Sequence, residues 1–142
     1  MALQIRKIQV WSGEIPDRVG AAAAALEFLA RAGADLEFVF SRPHPQKPDT
    51  GIFFLAPITG PEQIAAARRA GIGPALDVAM LRVEGTNRVG VGFDLMSRLA
   101  VAGITLAGLS ISALGERFVA YLAFNNPDTA TQAVQILAML DG

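Results

Sequence analysis

The sequence predicts an α+β protein in which one βαββα(β) unit is written twice, and three observations predict it. Asp17-Arg18-Val19-Gly20 recurs 70 residues later as Asn87-Arg88-Val89-Gly90. At the same spacing Leu26 meets Met96, Leu29 meets Leu99, Ala30 meets Ala100, Gly33 meets Gly103 and Leu36 meets Leu106. Helical and strand-like hydrophobic periods then follow one another in the same order in both halves. A further match, Gly60-Pro61-Glu62 with Asn126-Pro127-Asp128, lies at a spacing of 66. The shrinkage falls at the Pro-rich segment from Arg42 to Asp49, an insertion in the first copy.

The elements of the first copy follow from local pattern. Lys7 to Trp11 reads as a strand, with Ile8 and Val10 on one face. The Gly- and Pro-containing stretch Ser12 to Pro16 reads as a turn. A helix is expected from about Arg18 to Ala32, its apolar stripe formed by Val19, Ala22, Leu26, Leu29 and Ala30. Gly33 stops it, because positive φ costs glycine little. Leu36, Phe38 and Phe40 alternate as a strand, the Pro-rich segment forms a hairpin loop, and Ile52 to Ala56 returns. Pro61 opens a second helix. In the second copy the expected strands lie near Val78–Val83, Ile104–Ile111 and Phe118–Phe124. The expected helices lie near Arg88–Ala102 and Pro127–Leu140, the latter with Ala130, Ala133, Val134 and Leu137 facing inward.

Strands joined in this order predict tandem ferredoxin-like (βαββαβ) units, each an antiparallel sheet with helices on one face. The units are placed at residues 1–74 and 75–142. The second copy ends on a helix and lacks its own fourth strand. Leu76 to Val83 closing the first sheet and opening the second, with a terminal strand filling the vacant edge, is one arrangement that the sequence leaves open.

Composition narrows the function classes. Hydrophobic residues are 52% and charged residues 18% of the chain, and mean hydropathy is +0.40. That much apolar surface predicts a homo-oligomer, a homodimer in the simplest case. Twelve Lys+Arg against 13 Asp+Glu leave a net charge of −1, so no basic field exists for nucleic acid. The absence of cysteine removes disulfides, thiolate nucleophiles and Cys-ligated metal. No apolar leader is visible, and a cytoplasmic location is expected. Leu99 to Gly115 is free of charge, yet its counterpart in the first copy carries Arg31, Asp35 and Glu37, which argues against a membrane span.

A strand, then Asp-Arg-Val-Gly, then a helix ending Leu-Ala-Arg-Ala-Gly-Ala-Asp-Leu resembles the signature of the ACT domain family. That signature is an Asp-Arg-Pro-Gly turn, a first helix and an Ala-x-Gly-x-Asn-Ile-like exit. Both copies resemble it, and the layout is similar to small stand-alone tandem ACT proteins. The resemblance implies a regulatory or sensory role, alone or on a partner enzyme. It also implies binding of an amino acid at an interface between ACT units, through the turn before the first helix. Val19 and Val89 stand where the family has proline, and the Pro-rich hairpin is a second departure.

Physical chemistry makes the turns plausible seats on other grounds. A helix start presents unpaired N–H groups and the positive end of the dipole to a carboxylate. Gly20, Gly90 and Gly92 let a ligand approach the backbone. Asp17 or Asn87 can hold an ammonium group, and Arg18 or Arg88 a carboxylate. The ligand-binding candidates are therefore Asp17, Arg18, Val19, Gly20, Asn87, Arg88, Val89, Gly90 and Gly92. Each has a plainer reading: Asp17 and Asn87 as helix N-caps, the glycines as packing positions, the arginines as solvated surface. His44 reads as an exposed loop residue, and Trp11 as core or interface. Gly90-Val91-Gly92 lacks the third glycine of a dinucleotide fingerprint. No catalytic triad, His pair or nucleophile elbow is present, so no catalytic residue, metal or cofactor is assigned. A ligand-free structural or interaction subunit is the competing reading. A small ferredoxin-like enzyme using Glu14 or Asp94 is a third.

Overall fold

The computed structural model describes residues 3–139. Two compact units divide the chain: Gln9–Ala75 forms an inserted unit, and Met1–Ile8 joins Leu76–Gly142 in a host unit. The division therefore differs from halves at 1–74 and 75–142, because the first strand belongs with the second half.

The inserted unit runs β2 (Trp11–Pro16), α1 (Ala21–Arg31), β3 (Phe38–Pro43), β4 (Thr50–Ala56), α2 (Gly60–Arg69) and β5 (Ile72–Pro74). Its antiparallel sheet has the order β3-β4-β2-β5. The host unit consists of β1 (Gln4–Ile8), β6 (Ala79–Thr86), α3 (Val91–Val101), β7 (Gly108–Leu114), β8 (Arg117–Phe124) and α4 (Pro127–Ala138). Its order, β1-β6-β8-β7, is the same pattern with β1 in the place of β5. The vacant fourth place is thus filled from the N-terminus, with Gln4 opposite Glu84 and Ile8 opposite Met80. Closure of the first sheet comes from β5, ahead of the expected Leu76–Val83.

The expected strand Lys7–Trp11 is in fact the junction of two strands, and the expected turn Ser12–Pro16 is most of β2. The glycine that suggested a turn serves close approach instead. A Cβ on Gly13 would sit 2.4 Å from the Gly71 carbonyl oxygen, and strand glycines mark such contacts. The junction is held by Ala75 N–H donating to the Val10 carbonyl at 2.9 Å, with Val10 fully buried.

Both cores lie between a sheet and its helices. In the host unit Val91, Leu95 and Leu99 face Leu81, Val83, Phe118, Ala120, Leu122 and Phe124, with Ala130, Ala133 and Leu137 from α4. In the inserted unit the corresponding helical row is Ala21, Ala25 and Leu29, so the stripe expected through Val19 and Ala22 is rotated. Volume withdrawn from that helix returns from the sheet. Trp11 pairs with Leu55 as Leu81 pairs with Leu122, and Phe53 stands opposite Gly13 as Ala120 stands opposite Val83. Cores conserve volume more strictly than residue type.

Leu99→Ala, at a site with no exposure, is expected to cost about 2–5 kcal/mol in urea unfolding. Val101→Ala on the same helix, at 90% exposure, is expected to stay within about 0.5 kcal/mol.

Candidate functional site

The two turns are built alike. The Ala21 N–H donates to the Arg18 carbonyl at 3.2 Å, and the Val91 N–H to the Arg88 carbonyl at 3.3 Å. Gly20 (φ 85, ψ −8) and Gly90 (φ 84, ψ 5) occupy the third position. These angles define a type II turn, which requires a left-handed third residue and accepts proline at the second. Val19 and Val89 take that second position, so the departure from the family's proline leaves the turn type intact. Both valine side chains stand fully in solvent.

The glycines are the N-caps, and neither helix has a side-chain cap. Asp17 and Asn87 are therefore not the capping residues. A Cβ on Gly20 or Gly90 would meet nothing within 4 Å. Conformation, rather than close packing, explains these two glycines. Gly92 is different, since a Cβ there would come within 3.2 Å of Ile111 Cδ1. Its missing side chain serves the approach of α3 to β7.

Beyond each turn the backbone is open. The Ala24 N–H reaches the Gly20 carbonyl and the Asp94 N–H the Gly90 carbonyl, both at 3.0 Å. Between these bonds, the N–H groups of Ala22, Ala23, Gly92 and Phe93 donate to nothing among the described residues. Each turn is anchored from behind by a hairpin. The Asp17 N–H donates to the Asp49 carbonyl at 2.9 Å, and the Asn87 N–H to the Glu116 carbonyl at 2.7 Å.

The side chains separate the two copies. Arg88 is bound by Asp94, a residue of α3 whose counterpart in α1 is Ala24. Arg18 has no such carboxylate and its side chain makes no hydrogen bond or ion pair among the described residues; neither does that of Asp17, which is also exposed. The first turn thus offers an unpaired carboxylate and an unpaired guanidinium, whereas the second is neutral at Asn87 and self-neutralised at Arg88. The Arg88–Asp94 pair was not foreseen; an acid in the first turn of α3, absent from α1, was its signal.

The hairpins differ too. The insertion places His44 against Glu14, with Nε2 to Oε1 at 3.3 Å and the imidazole only 14% exposed. The reading of His44 as an exposed loop residue is thereby corrected. Lys47 Nζ reaches both Glu14 oxygens, at 2.9 and 3.0 Å. The Lys47 hydrogen bond holds the Glu14 carboxyl below its ordinary value; desolvation opposes this, and the Lys47 and His44 charges reinforce it. Among the described residues no cluster of three metal-ligating side chains occurs, and no helix is long and apolar enough to cross a membrane. Trp11 is part of the inserted unit's core.

Gly20→Ala and Gly90→Ala are each expected to lose about 1–2 kcal/mol in urea unfolding, the cost of a left-handed non-glycine residue. Val19→Pro is expected to gain about 0.4–1 kcal/mol by restricting the unfolded chain. The depressed Glu14 pKa stabilises the fold above the ordinary carboxylate range, and this contribution is lost as pH falls through Glu14's own titration. In acid-unfolding curves, the advantage of the wild type over Glu14→Gln should vanish in that acid window.

No family model matches the chain, and no curated protein resembles it in sequence. Solved structures do. Protein BT0572 from Bacteroides thetaiotaomicron is similar at a TM-score of 0.76 and 13% identity, over 98% of this chain and 90% of that one. The ligand-free regulatory subunit of aspartate kinase from Thermus thermophilus is similar at 0.60 and 19% identity, over 94% and 93%. E. coli aspartokinase III, in complex with aspartate and ADP, is similar at 0.60 and 15% identity, over 96% of this chain but 32% of the enzyme. These likenesses concern the fold alone: the chain has a ferredoxin-like α+β architecture, two four-stranded antiparallel sheets with four helices, similar to that of the regulatory subunit of aspartate kinase.

Proposed function

We propose that the chain is a non-catalytic regulatory module of two ACT units in tandem that binds a small molecule, an amino acid in the first instance. The observation that carries this reading is the first turn, Asp17 to Gly20. A glycine N-cap leaves the helix start without a side-chain lid. Among the described residues two backbone N–H groups there are unpaired, and they are flanked by one carboxylate and one guanidinium that make no ion pair. A zwitterion complements that set: its carboxylate sits on the N–H groups and Arg18, its ammonium on Asp17. Val19 contributes an apolar surface at the rim. The second turn, Asn87, Arg88, Val89, Gly90 with Gly92, is the weaker seat, because Asp94 already occupies Arg88.

The module acts in the cytoplasm as a homodimer, alone or on a partner enzyme. Support for association comes from the edge strands β3 and β7, where Val39, Phe40, Leu109 and Leu114 are 45%, 47%, 52% and 78% exposed. Apolar edges of this kind invite pairing. The same edges favour the second reading, an interaction subunit with no ligand.

Calorimetry and thermal shift against the twenty amino acids separate the two. A ligand at a hundredfold excess over its Kd is expected to add about 2.7 kcal/mol of stability. Arg18→Ala is expected to remove about 1.5–3 kcal/mol of binding, the worth of a hydrogen bond to a charged group, and Arg88→Ala much less. Silence across the whole panel would leave the interaction subunit as the better account.

A further inference from the structure

The hairpin between β3 and β4 carries a cluster that ligand binding does not use. The His44 N–H donates to the Thr50 carbonyl at 2.8 Å and closes the loop. The imidazole Nδ1 accepts the backbone N–H groups of Gln46, at 3.0 Å, and Lys47, at 3.2 Å. A nitrogen accepting two hydrogen bonds carries no proton, so the ring proton sits on Nε2, toward the Glu14 carboxylate. The charged groups facing the ring are Glu14 from β2 and Lys47 from the hairpin itself; β4 presents the Thr50 carbonyl. At its far end the same hairpin supplies the Asp49 carbonyl that holds the Asp17 N–H.

We propose that residues 44–49 form a proton-operated strap: a second proton on His44, at Nδ1, opens the tight turn and releases Asp17 from Asp49, loosening the first turn and leaving the second unaffected. Protonated Nδ1 is a donor facing two donors, so both backbone bonds fail together. Little offsets this on the other side of the ring. Glu14 is 47% exposed and already bonded by Lys47, and an exposed pair of that kind is weak. In the host unit the corresponding hairpin is the short connection through Gly115 and Glu116, which contains no histidine. The strap operates whether or not an amino acid binds.

Nuclear magnetic resonance on the full chain tests it. In the singly protonated ring the Nδ1 shift should be that of an unprotonated nitrogen. As His44 titrates, amide protection at Gln46, Lys47 and Asp17, corrected for intrinsic exchange, should fall about tenfold, the scale of one net hydrogen bond. Protection at Asn87 should not change. His44→Asn keeps an oxygen that can accept both N–H groups but cannot become charged, so its protection should be flat with pH. Flat but low protection in that variant supports the proposal equally, since the pH response has gone with the imidazole. A singly protonated ring with its proton on Nδ1, an Asp17 amide indifferent to protonation of His44, or an equal loss in His44→Asn overturns it.

Discussion

A four-stranded antiparallel sheet covered on one face by two helices needs a strand on each side of its central pair. Without β1 the β6 edge would present unpaired N–H and C=O groups, and Leu3 and Ile5 would be missing from the margin of the host core. The ladder from Gln4 opposite Glu84 to Ile8 opposite Met80 supplies that edge. Everything between β1 and β6 is consequently an insertion. It closes on itself through β5 and the Ala75–Val10 hydrogen bond. The two helix starts are placed alike, α1 after β2 and α3 after β6, strands that hold the same place in their own sheets.

Within that frame a single backbone requirement shapes the candidate site. Turning from a strand into a helix through a type II turn demands a left-handed residue immediately before the helix. Glycine meets the demand and, having no side chain, cannot cap the helix it opens. The first-turn amides stay unpaired as a result. What distinguishes the copies is then a matter of few side chains: Asp17 against Asn87, and Asp94 against Ala24.

Much of this was legible in the sequence, and for physical reasons. The repeat was visible because its most restrictive positions, Gly20 with Gly90 and Gly33 with Gly103, all sit at positive φ and tolerate little else. The helices' inward faces were legible in α4, where Ala130, Ala133 and Leu137 are buried as the period predicts. In α1 the long alanine run gives the period little contrast, and the inward row was misplaced. β2 was hidden because Gly13 signals a turn and close packing equally well. The partner of His44 was illegible, since contacts such as Glu14 with Lys47 depend on how a hairpin folds back, which no local pattern encodes.

The Ala75–Val10 hydrogen bond has a consequence for the order of assembly. β1 leaves the ribosome first but must wait for β6, and a long unstructured loop between them would carry a large closure entropy. Completion of the inserted unit brings Val10 and Ala75 together, so the chain that β1 must bridge collapses to a few residues. Its core, spanning Trp11 to Ile72, is a cluster of its own residues. The inserted unit is thus a self-closing clip that shortens the loop its neighbour must close. Lesions in its core, such as at Leu29 or Phe53, would therefore slow maturation of the host unit as well.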